Sequence, residues 1–472
     1  MKRALLVYIF LIACIPAFFH LHIYEKDFLE ILGSADGIYQ GFGYCFLQLT
    51  NYAGIEKISG ITARPYLIQF FLNISFYFLG HTLKAIYIVY LIPRLLILPV
   101  LYAITLFFFS PLVSFLIATL PVFFLYFETY AISTLKADVF VVFFSLLSLL
   151  FYLRWKKNNS FRDLLFVSLF LTFNVLSKET ASLYSFVLGS LVIFRIVSTN
   201  KNRVKGLLWF SPISSMLIGP FVLFSLWTTG RLFPSLFATG YNVASFPLNS
   251  KTYLQSVLYY TGVAFNLSTY ITFTSSVSLF LITLGIATIL KRKKFELIVP
   301  ILATLVGISL MDTRIVQGDI VGNREILHRI AFIVPFIALY TGFGIQTVAS
   351  LVSQKILHSN YLIPGILFFV SLFFIHRYFT SPYALDYTQS EFYINAQTVF
   401  QHNKTLPLAT FKRENDICIT EFVPEGNFLV TNYKQFKTSA FPQGYKEVLL
   451  GLWGIPLLIW LGSILQKKNF RF

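Results

Sequence analysis

The segment GSADGIYQGFGY, residues 33–44, places a carboxylate where it could do chemistry. Asp36 lies among glycines and tyrosines, shortly after the first hydrophobic run of the chain, and Tyr39 follows within three residues. A carboxylate in an exposed loop can act as a general base toward a hydroxyl group. Asp36-Gly37 is also a common turn pair, so a purely structural role stays open.

A second set of residues could bind an anion. Lysine, arginine and histidine stand beside a glutamate at the ends of hydrophobic runs, and charge in such places is costly and therefore informative. If they meet on one membrane face, they form a cationic pocket suited to the phosphate of a lipid carrier. The set comprises Arg64, Lys178, Glu179, Arg324, His328 and Arg329.

Plainer interpretations of these residues remain. Lys178 and Glu179 could be a solvated loop pair. Arg329 could extend to the interface along its own stem. Asp138, which precedes a hydrophobic run, could serve only to cap a helix.

The composition places the whole chain in a membrane. Of its 472 residues 56% are hydrophobic and 12% are charged, and the mean hydropathy is +0.72. Windows of about 20 apolar residues, long enough to cross the hydrocarbon core as a helix, recur along most of the sequence. These values exclude a water-soluble globule and predict an all-α polytopic membrane protein.

The basic residues give the expected orientation. The net charge of +17 is concentrated in short clusters between hydrophobic runs, a pattern that favours the cytoplasmic membrane face over nucleic acid. An even number of crossings must separate neighbouring clusters. The rule predicts about twelve helices, near 4–22, 85–109, 112–128, 139–153, two within 163–194, 206–227, 270–290, 296–311, 329–348, 361–377 and 447–465, with both termini cytoplasmic.

The remaining segments are expected to face outward. A short apolar stretch at 66–80 suits an interfacial helix. The outward segments are predicted at 23–65, 128–138, around Lys178, and at 228–269, 312–328 and 378–446. Four domains follow: a first membrane module at 1–210 that includes the outward loop 23–65 with the candidate base, a second membrane module at 211–377, an extracytoplasmic subdomain at 378–446, and a last helix with a basic tail at 447–472.

Several common sites are not recognisable in the sequence. GFGYCF lacks the pattern of a dinucleotide loop, and there is no GKS or GKT motif. No DxD pair occurs in the outward segments, so no cofactor is expected and a divalent metal is not indicated. The cysteines, Cys14, Cys45 and Cys418, have neither metal-ligand nor disulfide-framework spacing. The first apolar run lacks a small-residue cleavage pattern, which favours an uncleaved helix over a signal peptide.

The order of these features resembles the GT-C superfamily of integral-membrane glycosyltransferases. The similarity is to the protein O-mannosyltransferases and aminoarabinose transferases, which use polyprenyl-phosphate sugars. It is carried by SADGIYQGFGY, ARPYLIQFFLNISFYFLG, the long run ending in LLSLLFYLRW, and FVSLFLTFNVLSKETASLYSFVL, and more loosely by NREILHRIAFIVPFIALYTGFGI.

The resemblance implies roles for individual residues. Asp36 would be the catalytic carboxylate of the first outer loop, although Gly37 stands where relatives often have a second acid. Tyr39, Arg64, Asp138 and Lys178 would contact the sugar or the lipid phosphate. The same role would extend to Glu179, Arg324, His328 and Arg329.

The implied reaction is an inverting sugar transfer outside the cytoplasm. The partners would be a polyprenyl-phosphate sugar, an acceptor hydroxyl of unknown identity and the lipid bilayer, with no nucleic acid, in a bacterial inner membrane. Two other classes stay open at this point. One is a transporter or flippase of lipid-linked sugars, and the other is a glycan ligase or polymerase.

Overall fold

A computed structural model describes most of the helical part of the chain. The described residues are 2–19, 67–79, 83–123, 138–178, 181–199, 203–229, 245–247, 275–311, 313–316, 319–323, 332–353, 359–380, 407–414, 417–424 and 445–469. The statements below refer to these residues.

Helices dominate the described chain, as the all-α prediction required. Each helix predicted from charge and hydropathy has a helical counterpart, and the segment predicted as interfacial is α2. The helices are α1 Lys2–Phe19, α2 Leu67–Leu79, α3 Leu83–Thr105, α4 Pro111–Thr119, α5 Asp138–Asn158, α6 Phe161–Ser177, α7 Ser182–Thr199, α8 Arg203–Thr229, α9 Ser275–Lys291, α10 Val299–Met311, α11 Val334–Ser353, α12 Ser359–Thr380 and α13 Tyr445–Asn469.

Three helical stretches are long and apolar enough to cross a membrane: Ile88–Thr105, Asp138–Asn158 and Val334–Leu351. Six shorter apolar helices accompany them in the described chain. Large apolar side chains such as Tyr77, Phe186 and Phe369 are more than 70% exposed, which suits contact with lipid. The protein is a multi-pass membrane protein, and the count of twelve crossings stays a prediction.

The helix α5 separates two charged ends of the bundle. Its first residue, Asp138, contacts Lys178 at the end of α6, and Lys156 near its last turn contacts Glu296 before α10. Eighteen residues of helix correspond to about 27 Å, close to the thickness of the hydrocarbon core. The contact of Lys156 with Glu296 places the basic stretches 154–162 and 291–294 at the same end of the bundle.

The helices α9 and α11 cross with their backbones in close contact. A Cβ atom added at Gly285 would overlap the carbonyl oxygen of Tyr340, and one at Gly344 would overlap the carbonyl oxygen of Leu281. The two backbones can touch here because both residues lack a side chain. Close by, the hydroxyl groups of Thr288 and Thr347 are 2.7 Å apart.

Five short strands accompany the helices, all within segments predicted to face outward. The strands β1 Ser245–Pro247, β2 Thr313–Val316 and β3 Asp319–Asn323 form one antiparallel sheet in the order β1-β3-β2. The strands β4 Pro407–Glu414 and β5 Ile417–Pro424 form an antiparallel hairpin. Pairing of β1 with β3 brings the predicted outward segments 228–269 and 312–328 together.

Candidate functional site

Asp138 is a buried carboxylate at the first turn of α5. Its relative exposure is 2%. The amino end of a helix presents unpaired N–H groups and a positive dipole, which favour a carboxylate at this position. Burial of an ionised carboxylate still requires a specific charged or hydrogen-bonding partner.

That partner is Lys178, the residue at which α6 ends. Its backbone is extended, with φ −162° and ψ 140°, so it leaves the helix, although its N–H still reaches the carbonyl oxygen of Asn174. The chain then turns toward α7, and Ala181 N–H donates to the carbonyl oxygen of Lys178 at 3.1 Å. The Lys178 side chain therefore extends toward the first turn of α5.

The ammonium group of Lys178 donates to both oxygens of Asp138, at 2.8 Å to Oδ1 and 2.7 Å to Oδ2. The Lys178 side chain is 18% exposed and that of Asp138 is 3% exposed. An ammonium group carries three N–H donors, and this pair uses two of them. Asp138 thus fixes the position of Lys178, which is neither a solvated loop residue nor simply an excess positive charge.

Aromatic rings from four helices pack against one another near this ion pair. Phe140, two residues after Asp138, lies edge-on to Tyr90 of α3 at 5.2 Å between centroids. Phe71 of α2 stacks near Phe140 at 6.4 Å and meets Phe173 of α6 at 6.2 Å. The helix α2 therefore packs against α5 and α6 close to the ion pair.

Arg94 is a buried cation that sequence reasoning missed. It lies within the apolar stretch Ile88–Thr105, its exposure is 1%, and its guanidinium carbon is 5.8 Å from the ring centroid of Tyr90. Ionisable residues inside membrane spans usually mark a ligand or ion site. The signal was available as one arginine between Pro93 and Pro99 in a hydrophobic run.

A polar cluster continues from Lys178 into the bundle. Asn174 donates from its side-chain amide to the hydroxyl of Ser145 at 3.0 Å. The hydroxyl of Tyr184 donates to the carbonyl oxygen of Ser145 at 3.0 Å. These bonds tie α5, α6 and α7 together directly beneath the Asp138–Lys178 pair, and so hold its two helices in a fixed relation.

The other predicted site residues lie outside the described residues. They are Asp36, Tyr39, Arg64, Glu179, Arg324, His328 and Arg329. Of the predicted site, the structure brings together Asp138 and Lys178. Convergence of the remaining cations on them stays a prediction.

Candidate metal ligands are scattered over the described helices and strands. Within these ranges no group of three or more histidine, cysteine, aspartate or glutamate side chains could hold a metal ion. The acids Asp138, Asp163 and Glu296 are each bonded to a separate cation.

The segment that holds this ion pair also matches a protein-family model. Residues 63–224 match the family model of dolichyl-phosphate-mannose-protein mannosyltransferases, a GT-C family domain. The predicted resemblance to GT-C glycosyltransferases is thereby confirmed over this segment. No curated protein and no solved structure matches the chain.

The matched segment contains α2 to α7 and most of α8, and with them Asp138, Lys178 and Arg94. It begins one residue before Arg64 and leaves Asp36 outside. The match indicates a glycosyltransferase of GT-C type. The buried ion pair, the aromatic cluster and the buried arginine therefore belong to the part of the chain that carries the family signal.

Proposed function

We propose that the protein transfers a sugar from a polyprenyl-phosphate carrier to an acceptor hydroxyl on the extracytoplasmic face of the membrane. The match of residues 63–224 to a family named for a lipid-phosphate sugar donor is the observation that carries this proposal. The buried pair of Asp138 and Lys178 at one end of α5 supports it with a cation that is held in place by a carboxylate.

Asp36 acts as the general base in this proposal. It removes the proton from the acceptor hydroxyl as the oxygen attacks the anomeric carbon from the side opposite the phosphate. The new C–O bond forms while the bond to the phosphate oxygen breaks, so the configuration inverts. Both electrons of the broken bond leave with the polyprenyl phosphate, which gains a negative charge.

Lys178 stabilises that developing charge. Its two bonds to Asp138 hold the ammonium group in place before the reaction, so no reorganisation is needed as the phosphate departs. In this proposal the third N–H donor of Lys178 binds the lipid phosphate. Loss of a comparable preorganised donor costs about 3 kcal/mol in transition-state stabilisation, or a hundredfold or more in rate.

Other cations complete the phosphate site in the proposal. Arg64, Arg324 and Arg329 are expected to converge on the outer end of the bundle beside His328 and Glu179. Tyr39 contacts the sugar near Asp36. The lipid tail follows the aromatic residues that surround the ion pair, among them Phe71 and Phe140.

The reaction can be tested with purified protein in proteoliposomes. A panel of polyprenyl-phosphate sugars, including mannose and aminoarabinose donors, is incubated with hydroxyl acceptors, and the product's anomeric configuration is read by NMR. Transfer with inversion is the expected result. Transfer with retention would overturn the single displacement, and protein-dependent movement of the donor across the bilayer without transfer would identify a flippase.

A further inference from the structure

Three cations lie around one carboxylate at the turn between α9 and α10: Arg292 and Lys294 from the turn itself, and Lys156 from α5. Glu296 is 4% exposed and accepts a hydrogen bond from Lys156 Nζ at 2.8 Å. Burial lowers the pKa of Lys294, and the charges of Lys156 and Arg292 lower it further, while Glu296 opposes them. Lys156, Arg292 and Lys294 together carry more positive charge than the one carboxylate of Glu296 neutralises.

Two of these cations lie on one pair of aromatic rings. Lys294 Nζ is 4.8 Å from the ring centroid of Phe108, and Arg292 Cζ is 5.6 Å from that of Phe343. The two rings are themselves 5.4 Å apart. Arg292 also donates to Gln346 Oε1 at 3.1 Å. Both positive groups are thus held side by side between the α3–α4 turn, the end of α9 and α11.

The backbone closes this turn in a conformation that usually requires glycine. Lys293 has φ 52°, a left-handed conformation that costs a side chain about 1–2 kcal/mol. Its N–H donates to the carbonyl oxygen of Leu290, and the N–H of Lys294 donates to that of Ile289. These bonds end the helix and fix the backbone position from which the Lys294 side chain extends.

An apolar stripe begins at the same turn. Phe295, Val299, Leu302 and Val306 are spaced by three or four residues, so they share one face, and each is 38% to 45% exposed. A stripe of exposed apolar side chains on a membrane helix accommodates an acyl chain. Cations at its end stand where a lipid headgroup would lie.

We infer that the turn at 292–296 binds an anionic phospholipid, with Arg292 and Lys294 on the headgroup phosphate and an acyl chain along the α10 stripe. A diester charge offsets part of the excess positive charge at the turn, and the adjoining stripe favours a lipid over a free phosphate. The site lies at the end of the bundle opposite Lys178 and is independent of the proposed sugar transfer.

The test compares lipid retention by the full chain in detergent. Phosphatidylglycerol and phosphatidylcholine are titrated separately, with binding read by native mass spectrometry and by the thermal unfolding midpoint. The double variant Arg292→Gln/Lys294→Gln should bind phosphatidylglycerol about thirtyfold more weakly, since each such cation contributes about fivefold. The variant Arg292→Lys/Lys294→Arg keeps both charges and should keep most of the binding.

The matched control removes the same charge elsewhere on that membrane face. Arg162 and Lys205 are exposed and also lie on aromatic rings, so Arg162→Gln/Lys205→Gln should leave the phosphatidylglycerol response intact. Equal losses in the two double variants would overturn the site. Equal responses to phosphatidylcholine, or to soluble glycerol phosphate, would overturn the assignment of an anionic lipid.

Discussion

Variants of the Asp138–Lys178 ion pair can distinguish a structural role of the pair from a functional one. Neutralising one member leaves a buried charge without its partner, so Asp138→Asn or Lys178→Met should lower the free energy of unfolding by about 3–5 kcal/mol. The double variant removes both charges and should recover much of that loss. Thermal unfolding in detergent measures the stabilities, and sugar transfer is assayed on the same samples.

Activity should not recover in the double variant. Lys178 supplies positive charge to the leaving phosphate, so transfer stays a hundredfold or more below wild type even when the protein folds well. The control is Arg154→Gln/Asp163→Asn, a second ion pair of the bundle with N···O 3.2 Å, which should retain transfer. Full transfer by the Asp138/Lys178 double variant would make the pair purely structural.

Lys293 offers a prediction about backbone strain. Its left-handed φ of 52° suits glycine, so Lys293→Gly should raise the free energy of unfolding by about 0.5–1 kcal/mol. Asn159 has φ 51°, but asparagine tolerates this region, so Asn159→Gly should change stability less. A lower unfolding temperature for Lys293→Gly than for wild type would refute the strain.

For Asp138 and Lys178, the sequence predicted a shared membrane face but not the ion pair between them. Counting crossings between basic clusters places Lys178 and Asp138 on one membrane face, because both lie at odd numbers of crossings from the first cluster. The direct ion pair depends on how α5 packs against α6, which no spacing encodes. Arg94 escaped notice because hydropathy averaged over a window hides a single charge.

At the scale of elements, the crossing of α9 and α11 gives the sharpest packing prediction. A methyl group at Gly285 or Gly344 would overlap backbone of the facing helix, so Gly285→Ala or Gly344→Ala should destabilise the protein by about 1–3 kcal/mol or more. A methyl group added at Gly365 in α12 would meet open space instead. Gly365→Ala should be neutral or slightly stabilising, since alanine favours helix.

Thermal unfolding of these glycine variants in one detergent provides the comparison. Equal midpoints for Gly285→Ala, Gly344→Ala and Gly365→Ala would show that the two helices do not cross as closely as described.

Helices were predictable because the membrane imposes a length and a hydropathy that sequence windows detect. The α2 segment, for example, spans Leu67–Leu79 where an interfacial helix was expected at 66–80. The strands were missed because the pairing of Ser245 with Asn323 joins residues far apart in sequence. The glycine crossing was likewise missed, since it depends on two helices meeting at one depth.

At the scale of the whole molecule, the orientation of the charged ends can be measured. Lys157 belongs to the basic end of the bundle, and Lys412 lies on β4 in the predicted outer subdomain. In a chain whose cysteines are replaced by serine, Lys412→Cys should react with an impermeant thiol reagent in sealed right-side-out vesicles. Lys157→Cys should react only after permeabilisation, because basic clusters stay in the cytoplasm. The reverse pattern would invert the topology.

The most direct test of the proposed function is sugar transfer by wild type and two single variants. Synthetic polyprenyl-phosphate sugars are supplied to proteoliposomes containing wild type, Asp36→Asn, or Asp27→Asn, the same change elsewhere in the predicted first loop. Wild type and Asp27→Asn should transfer sugar, and folded Asp36→Asn should lose transfer because no base accepts the hydroxyl proton. Full transfer by Asp36→Asn would contradict the assigned base, and absence of transfer from every donor by wild type would contradict the glycosyltransferase itself.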